Sequence, residues 1–356
     1  MLHATNHEDT SMADFSPVRY GVLGAANIAR SFTRGLAGSQ FAVVAAVASR
    51  SADKAAAFAS EMGIPRSHGS YEALLADPAI DAIYNPLPND LHAEWTIKAA
   101  AAGKHVLCEK PIAVGVAEAQ AMFDAGRQYG VHVVEAYPYM SQPQTLRVRA
   151  LLAEGVIGKI QLITASFGFR LVTSDGAALG DPANIRLDPA RAGGGLLDAG
   201  TYAMSFVRLA MGARPIRAMA TAKWTQSGVD QTIAATIEFE GGAIAQITST
   251  MATAAHRHAV VIGDAGVIET GFSNHAPDSG ILSLRIKRGV PGTVPFETED
   301  LPGSDGFRAE GESFARMVRI GASEWNGATE AESLDTARAL HAILASARSD
   351  GSWVQV

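Results

Sequence analysis

Arg19-Tyr20-Gly21-Val22-Leu23-Gly24-Ala25-Ala26-Asn27-Ile28-Ala29 is an apolar, strand-length run that turns through small residues into a helix-like stretch over 28–37. Gly24, Ala26 and Ala29 occupy the three positions of G-x-G-x-x-G/A. Small side chains there let the backbone approach a pyrophosphate and let the helix N-terminus face its charge. Ala26 stands where a second glycine is usual, so the motif alone also fits an ordinary tight strand–helix turn. Its position at the start of a strand–helix–strand unit is what the dinucleotide fingerprint requires.

Outward from that turn, strand and helix alternate at short intervals, the signature of a parallel sheet. Segments 41–48, 82–84, 105–108 and 131–135 read as strands, and 52–61, 91–102 and 116–129 as helices. Val43-Val44-Ala45-Ala46-Val47 is continuously apolar, as a parallel strand buried on both faces should be. After Pro143 the texture changes. A helix over 145–154 leads into strand-like segments at 159–169, 215–223, 232–240, 243–250 and 258–263, with a helix over 199–211 set among them. Thr232-Ile233-Ala234-Ala235-Thr236-Ile237-Glu238-Phe239 mixes apolar and polar positions, and Glu240-Gly241-Gly242 after it is a hairpin signal. Such a sheet packs one face on helices and leaves the other for a partner. Helices over 307–320 and 334–346 close the chain. The fold class is α/β first and α+β second: a dinucleotide-binding domain over 18–136, then a domain over 137–356 with a large, mostly antiparallel open sheet.

The chain has 356 residues, 47% of them hydrophobic and 18% charged, which excludes disorder as a description of the whole. A net charge of −7 lacks the basic footprint that nucleic acid requires. One cysteine forbids an internal disulfide and a Cys-rich zinc site. Residues 1–17 are polar, with no apolar core of a secretory signal, and read as a disordered tail that begins at Met1 or Met12. No run approaches the length of a membrane span. The expectation is a cytoplasmic protein.

The end of the second strand decides the flavour of the dinucleotide. An acidic residue there accepts hydrogen bonds from the ribose 2′-hydroxyl of NAD. Here the chain reads Ala48-Ser49-Arg50-Ser51, with Lys54 one turn on. Hydroxyls and a guanidinium suit a 2′-phosphate, so NADP is expected over NAD. The competing reading is that Ser49 and Arg50 merely cap the next helix.

Two further stretches carry a resemblance. One is Pro86-Leu87-Pro88-Asn89-Asp90-Leu91-His92, followed by Ala102-Gly103-Lys104-His105-Val106-Leu107-Cys108-Glu109-Lys110-Pro111. The other is Gly193-Gly194-Gly195-Leu196-Leu197-Asp198-Ala199-Gly200-Thr201-Tyr202. Together they resemble the glucose–fructose oxidoreductase / inositol dehydrogenase (Gfo/Idh/MocA) family over nearly the whole chain from Arg19, with a Rossmann first domain. Arg186-Leu187-Asp188-Pro189 points to the branch of NADP-dependent D-xylose 1-dehydrogenases and dihydrodiol dehydrogenases.

The residues themselves agree with that chemistry. Lys110 follows a strand at the carboxyl edge where α/β sheets bind ligands, and Pro111 restricts its backbone. Asp198 and Tyr202 are four apart on the first turns of a helix and share a face. The resemblance implies that Tyr202 is the general acid/base, with Lys110 stabilising its phenolate and Asp198 accepting hydrogen bonds from sugar hydroxyls. It implies that Tyr139 and Arg170 join them at the substrate. It places Asn27, Ile28, Pro86, Leu87, Asn89, His92, Glu109, Lys110 and Arg186 around the cofactor with Gly24, Ala26, Ser49, Arg50 and Lys54, and it implies association through the second sheet into a homodimer or larger homo-oligomer. His92 is the reserve candidate for the proton. No metal is required; His256-x-His258 could hold one from a strand face but reads more simply as a solvent-facing pair. Cys108 reads as an inert buried strand residue.

Two departures bear on the substrate. Tyr139-Met140-Ser141-Gln142-Pro143-Gln144 stands where the xylose-dehydrogenase branch carries Tyr-Arg-x-His-Pro-Gln, and Ile185-Arg186 stands for Trp-Arg. Both change the pocket wall and leave Lys110, Asp198 and Tyr202 in place. The expected activity is an NADP-dependent oxidoreductase on a sugar or polyol, either an aldose 1-dehydrogenase or an aldose–aldose oxidoreductase. Two alternatives remain: an NAD-dependent glycosidase-type enzyme of the family, and a dinucleotide-sensing regulator without catalysis.

Overall fold

From Val18 to Ala136 strands alternate with helices, and all the strands but one, Arg66–His68, are short apolar runs. The computed structural model, which describes residues 16–274 and 280–356, joins these strands into one parallel sheet. In chain order the elements are β1 (Val18–Leu23), α1 (Asn27–Gly35), β2 (Ala42–Ala48), α2 (Ala52–Met62), β3 (Arg66–His68), α3 (Tyr71–Leu75), β4 (Ala82–Asn85), α4 (His92–Ala101), β5 (His105–Glu109), α5 (Val116–Tyr129) and β6 (Val133–Ala136). The strand order is β3-β2-β1-β4-β5-β6, all parallel, which is the doubly wound Rossmann arrangement. The order reverses between β1 and β4, so a crevice opens beyond their carboxyl ends. β3 carries no apolar pattern, being three polar, partly exposed residues at the sheet edge, and α3 is a single turn that buries Tyr71, Leu74 and Leu75. The expected tail lies outside the described residues up to position 15.

Local sequence explains where the helices stop and start. α2 and α5 end on Gly63 and Gly130, both left-handed at φ +67°, a conformation that glycine adopts without a Cβ clash. The Ser51 side chain caps α2 by accepting from the Lys54 N–H. α1 has no side-chain cap at Ala26 and no acidic residue in its first turn, so its N-terminal N–H groups stay open to a ligand anion.

The second half comprises α6 (Pro143–Ala153), β7 (Ile160–Arg170), α7 (Thr201–Met211), β8 (Pro215–Trp224), β9 (Asp230–Phe239), β10 (Ile244–Thr250), β11 (Ala252–Gly263), β12 (Gly266–Thr270), β13 (Ile281–Arg288) and β14 (Glu297–Pro302). Then come α8 (Gly306–Arg319), α9 (Glu330–Arg348) and β15 (Val354–Gln355). The sheet runs β14-β13-β12-β11-β7-β10-β9-β8-β15, and all its neighbours are antiparallel except β7 and β10. It is open and mostly antiparallel, as the sequence implies, but wider by β12 to β15: β12 and β13 are interior strands, whereas β14, which is polar, and β15, of two residues, form the edges. α7 and α9 cover one face, where Phe206, Val207, Leu340 and Ile343 meet Ile233, Ile237 and Ile247. On the other face Met219, Thr221, Ala234, Ile244, Gln246 and Thr248 are exposed.

The chain's far end returns to the first sheet. Phe307 and Phe314 of α8 join Tyr20, Phe32 and Tyr84 in the core on the α1 side, and Tyr20 donates to the Gly311 carbonyl at 2.9 Å. α9 spans both cores, with Leu334 against the α4–α5 side and Ala339, Leu340 and Ile343 under the second sheet. These two helices fix the second sheet against the first and hold the crevice between them. Among the described residues no helix is long and apolar enough to cross a membrane.

Candidate active site

The crevice begins at Gly24, whose φ of +86° turns β1 into α1 and whose N–H donates to Ala48 O at 2.8 Å. That bond sets the end of β2 beside the uncapped start of α1. Ser49 is nearly buried there and Arg50 is exposed. Ser51 performs the capping of α2 and Ser49 Oγ accepts from the Ser51 N–H at 3.4 Å, which leaves the exposed Arg50 without a part in the cap. Ala26, Asn27 and Lys54 are exposed along the same rim, which also carries Asp53, an acid in the first turn of α2. The fit to a dinucleotide rests on this cradle: open N–H groups, small side chains and a guanidinium at the ribose end.

Further along, one cavity is lined by Ile28, Pro86, Leu87, Asn89, His92, Glu109, Lys110, Arg186 and Asp198, all expected from sequence. It is also lined by Ile185, Arg191, Ala192, Gly193 and Gly194, from a loop of the second half that reaches across the mouth. Arg191 pairs with Asp90 at 2.9 Å and Asn89 donates to Ala192 O at 3.1 Å, so this loop is tied to the first sheet. Against it lies a second cavity, lined by Ile28, Lys110, Phe167, Phe169, Leu171, Arg186, Asp198, Tyr202, Arg257 and Asn274. Shared residues of the two cavities are Ile28, Lys110, Arg186 and Asp198.

Lys110 stands at their junction. Its Nζ donates to Asp198 Oδ1 at 2.8 Å and to the Asp198 carbonyl at 3.0 Å, and lies 4.9 Å from the centre of the Tyr202 ring. Arg186 Nε donates to Asp198 Oδ2 at 2.6 Å. Burial alone would raise the Asp198 pKa, but Lys110 and Arg186 hold it down at about 2. Burial likewise opposes a charged Lys110, and Asp198 first, with Tyr202 and Glu109, more than offsets it, lifting the ammonium above the ordinary lysine range. Burial pushes the Tyr202 hydroxyl up, while Lys110, Arg257 and a hydrogen bond with Asn274 pull it back. Asp198 is therefore an ionised bridge between two cations. Its expected duty toward sugar hydroxyls falls to the lone pairs that those cations leave free.

The segment holding Asp198 differs from the expected α-helix. Leu196–Gly200 forms a π-turn that runs into α7, a local widening common at functional sites. It still sends Asp198 and Tyr202 into one cavity. The glycines before it serve packing as well as ligand approach. A Cβ on Gly194 would meet Asp230 Oδ1 at 2.1 Å, and one on Gly193 would meet Arg186 O at 2.5 Å. Asp230 in turn accepts from Leu196 N at 2.6 Å, fixing the start of the π-turn.

Two expected substrate residues are not brought into the cavity. Successive strand residues point to opposite faces, so with Phe167 and Phe169 of β7 turned into the site, Arg170 lies outside it and is exposed. Tyr139 is fully buried behind Tyr202, its ring 6.1 Å away and its hydroxyl on Ser205 at 2.9 Å. The rest of that stretch is structural too: Gln142 donates to Asn274 O and Ser304 O, both at 2.7 Å. His92 is buried, with its two ring nitrogens on Pro111 O at 2.8 Å and Leu87 O at 2.7 Å, so it braces two loops and is occupied as a proton donor. Glu109 is buried and accepts from the Tyr84 hydroxyl at 2.6 Å. Cys108 is buried, which pushes its thiol pKa well up. His256 and His258 are exposed, with His256 on Ser166 at 2.8 Å. Sequence reasoning missed Phe167, Phe169, Arg191, Arg257 and Asn274; only Phe167-Gly168-Phe169, alternating on a strand, offered a signal.

Comparison with known proteins agrees with this geometry. Residues 18–137 match a model described as an oxidoreductase family with an NAD-binding Rossmann fold, and 145–269 match the GFO/IDH/MocA C-terminal domain. A D-xylose 1-dehydrogenase (NADP(+)) of Haloferax volcanii is 38% identical over 92% of this chain and 97% of its own. The solved structure of KijD10, a 3-ketoreductase from Actinomadura kijaniata in complex with NADP and TDP-benzene, has a TM-score of 0.80 at 31% identity, covering 93% of this chain and 98% of that one. An aldose–aldose oxidoreductase from Caulobacter crescentus complexed with glycerol has a TM-score of 0.82 at 26% identity, covering 96% of this chain and 100% of that one.

Proposed function

The chain belongs to the GFO/IDH/MocA oxidoreductase family, and from that membership we propose that it is an NADP-dependent oxidoreductase acting on the CH–OH group of a sugar or polyol. The observation that carries this reading is the Lys110–Asp198–Arg186 ion chain beside the Tyr202 ring, at the junction of the cofactor crevice and a second cavity. NADP, when bound along the crevice, supplies the hydride chemistry. Everything else is done by this chain.

In the oxidising direction Tyr202 takes the proton of the reacting hydroxyl; in reduction it returns it. A free tyrosine ionises at about pH 10, so the step needs cations close to the phenolate. Lys110 supplies one, and Asp198 keeps Lys110 charged and aimed. Phe167, Phe169 and Leu171 make an apolar wall that excludes water from the reacting side. Arg50, exposed and outside the cap of α2, with the Ser49 hydroxyl beside it, supports a 2′-phosphate and hence NADP over NAD. The exposed face of β8, β9 and β10, with Met219 and Ile244 among small and polar residues, supports a homodimer or larger homo-oligomer built through that sheet.

Purified protein mixed with NADP or NAD and a panel of aldoses and polyols, followed by the near-ultraviolet absorbance of the reduced nicotinamide, tests the reading. Net reduction of NADP by at least one sugar is expected. An aldose–aldose exchange would show instead as a new sugar alcohol and aldonate by chromatography, with no net absorbance change. Neither signal with any sugar would refute catalysis and leave the sensing alternative.

A further inference from the structure

Arg257 lies on β11, paired across the ladder with Phe167 of β7, and neither the fingerprint nor the Lys–Asp–Tyr pattern announces it. Its guanidinium carbon is 3.9 Å from the centre of the Phe167 ring, 4.6 Å from that of Tyr202 and 5.4 Å from that of Phe272. Nη1 donates to Phe272 O at 3.2 Å and to Asn274 Oδ1 at 2.8 Å, both neutral acceptors. Among the described residues no carboxylate pairs with it. Asp198, the nearest acid of the site, is already committed to Lys110 and Arg186. A largely desolvated cation with only neutral partners is costly unless a negative charge forms beside it. The Phe rings cannot ionise. Tyr202 can.

We propose that Arg257 is a positioning residue for the acid–base step, a second cation that holds the Tyr202 ring and stabilises its phenolate together with Lys110. This rests on the assignment of Tyr202 as the acid/base. Toward a neutral phenol the guanidinium has only the ring quadrupole to face, whereas toward a phenolate it meets a full charge, so its effect appears on ionisation. The groups facing Tyr202 support this balance. Lys110 comes from the end of β5, and its neighbour Glu109 is an acid that opposes ionisation of Tyr202, so part of the Lys110 charge is offset there too. Asp198 and Arg186 approach from the π-turn and the loop before it. Tyr137 and Tyr139, which pack edge-on or tilted against the ring after β6, are buried and held neutral. Asp198 cancels much of the charge of Lys110 and Arg186. Arg257 is the cation whose charge is left for Tyr202.

The test is the pH dependence of sugar oxidation with NADP in the wild type, Arg257→Gln, Arg257→Lys, Tyr202→Phe and the double variant, with tyrosinate absorbance followed in the cofactor-free proteins. Tyr202 must be ionised to accept the proton, so turnover rises with pH through its pKa. Removing a cation within this distance should move that rising limb, and the Tyr202 tyrosinate signal, up by about one pH unit. Arg257→Lys should restore most of the position, and KM for the sugar should change little. The double variant should lack the limb, as Tyr202→Phe does. A limb unmoved in Arg257→Gln overturns the inference, and so does a raised KM with an unmoved limb, which makes Arg257 a substrate anchor. A limb retained in Tyr202→Phe overturns the assignment of Tyr202 instead. Arg257→Met keeps the aliphatic stem among the rings and serves if the Gln variant does not fold. Failure of both neutral variants, with Arg257→Lys folded, makes the residue structural and also overturns the inference.

Discussion

Replacing Lys110 by methionine keeps a similar length and removes the charge that Asp198 and Tyr202 share. Asp198 titrates at about 2 in the folded protein, held by Lys110 first and Arg186 second. Against an unfolded value of about 3.9, this depression corresponds to roughly 2.6 kcal/mol at neutral pH. Arg186 stays on Oδ2, but burial goes on pushing the carboxyl up, so Lys110→Met should forfeit most of that, about 2 kcal/mol, seen as a melting temperature lower by a few degrees. The sign with pH follows from the direction of the shift. A carboxylate whose folded pKa is depressed contributes its stability above the unfolded pKa and loses it as pH falls through the folded one. The gap between wild type and variant should therefore be full at pH 7 and narrow below about pH 4. Turnover should drop on the order of a hundred- to ten-thousand-fold, the range of general acid–base catalysis. Adding Tyr202→Phe should make it little worse, because cooperating groups are not additive. Urea unfolding at several pH values and steady-state kinetics would read both. A stability gap as wide at pH 3 as at pH 7, or turnover within tenfold of the wild type, would refute the coupling of Lys110 to Asp198.

Three further outcomes are expected. NADP should bind more tightly than NAD by calorimetry, and Arg50→Asp should reverse the order; equal affinities in the unmodified protein would show that Ser49 and Arg50 do not meet a 2′-phosphate. Gly194→Ala should destabilise by about 2–4 kcal/mol, since φ there is +119° and the new Cβ displaces Asp230 from Leu196, and its kcat should fall as Asp198 shifts; near-normal stability by chemical denaturation would contradict the packing account. Light scattering at micromolar concentration should give a dimer or larger mass, and Met219→Glu together with Ile244→Glu on the exposed sheet face should reduce it to the monomer, whereas a monomeric wild type would remove the association.

Local chemistry made the first half legible. Apolar runs of strand length, glycine stops after α2 and α5, and small residues at Gly24, Ala26 and Ala29 all act within a few residues of themselves, so the parallel sheet and its crevice follow from the sequence. Glu109-Lys110-Pro111 and Asp198 with Tyr202 were legible for the same reason: each is a short motif at the end of a strand or the start of a helix. The short β3, the polar β14 and the two-residue β15 were less so, because an edge strand is held by its neighbour's hydrogen bonds rather than by its own hydrophobicity.

Sequence by itself thus determined the fold class, the crevice and the three residues at its centre. Only the tertiary structure decided what surrounds them. Arg170 and Phe169 are adjacent in the chain, yet the strand's alternation puts Phe169 in the cavity and Arg170 outside it. Tyr139 sits behind Tyr202, and Arg257, fifty-five positions beyond that tyrosine, comes against its ring because β11 pairs with β7. α8, near the chain's end, closes the core of the first sheet. Such contacts join residues far apart in sequence through sheet register and helix docking, and no local pattern of side chains encodes either.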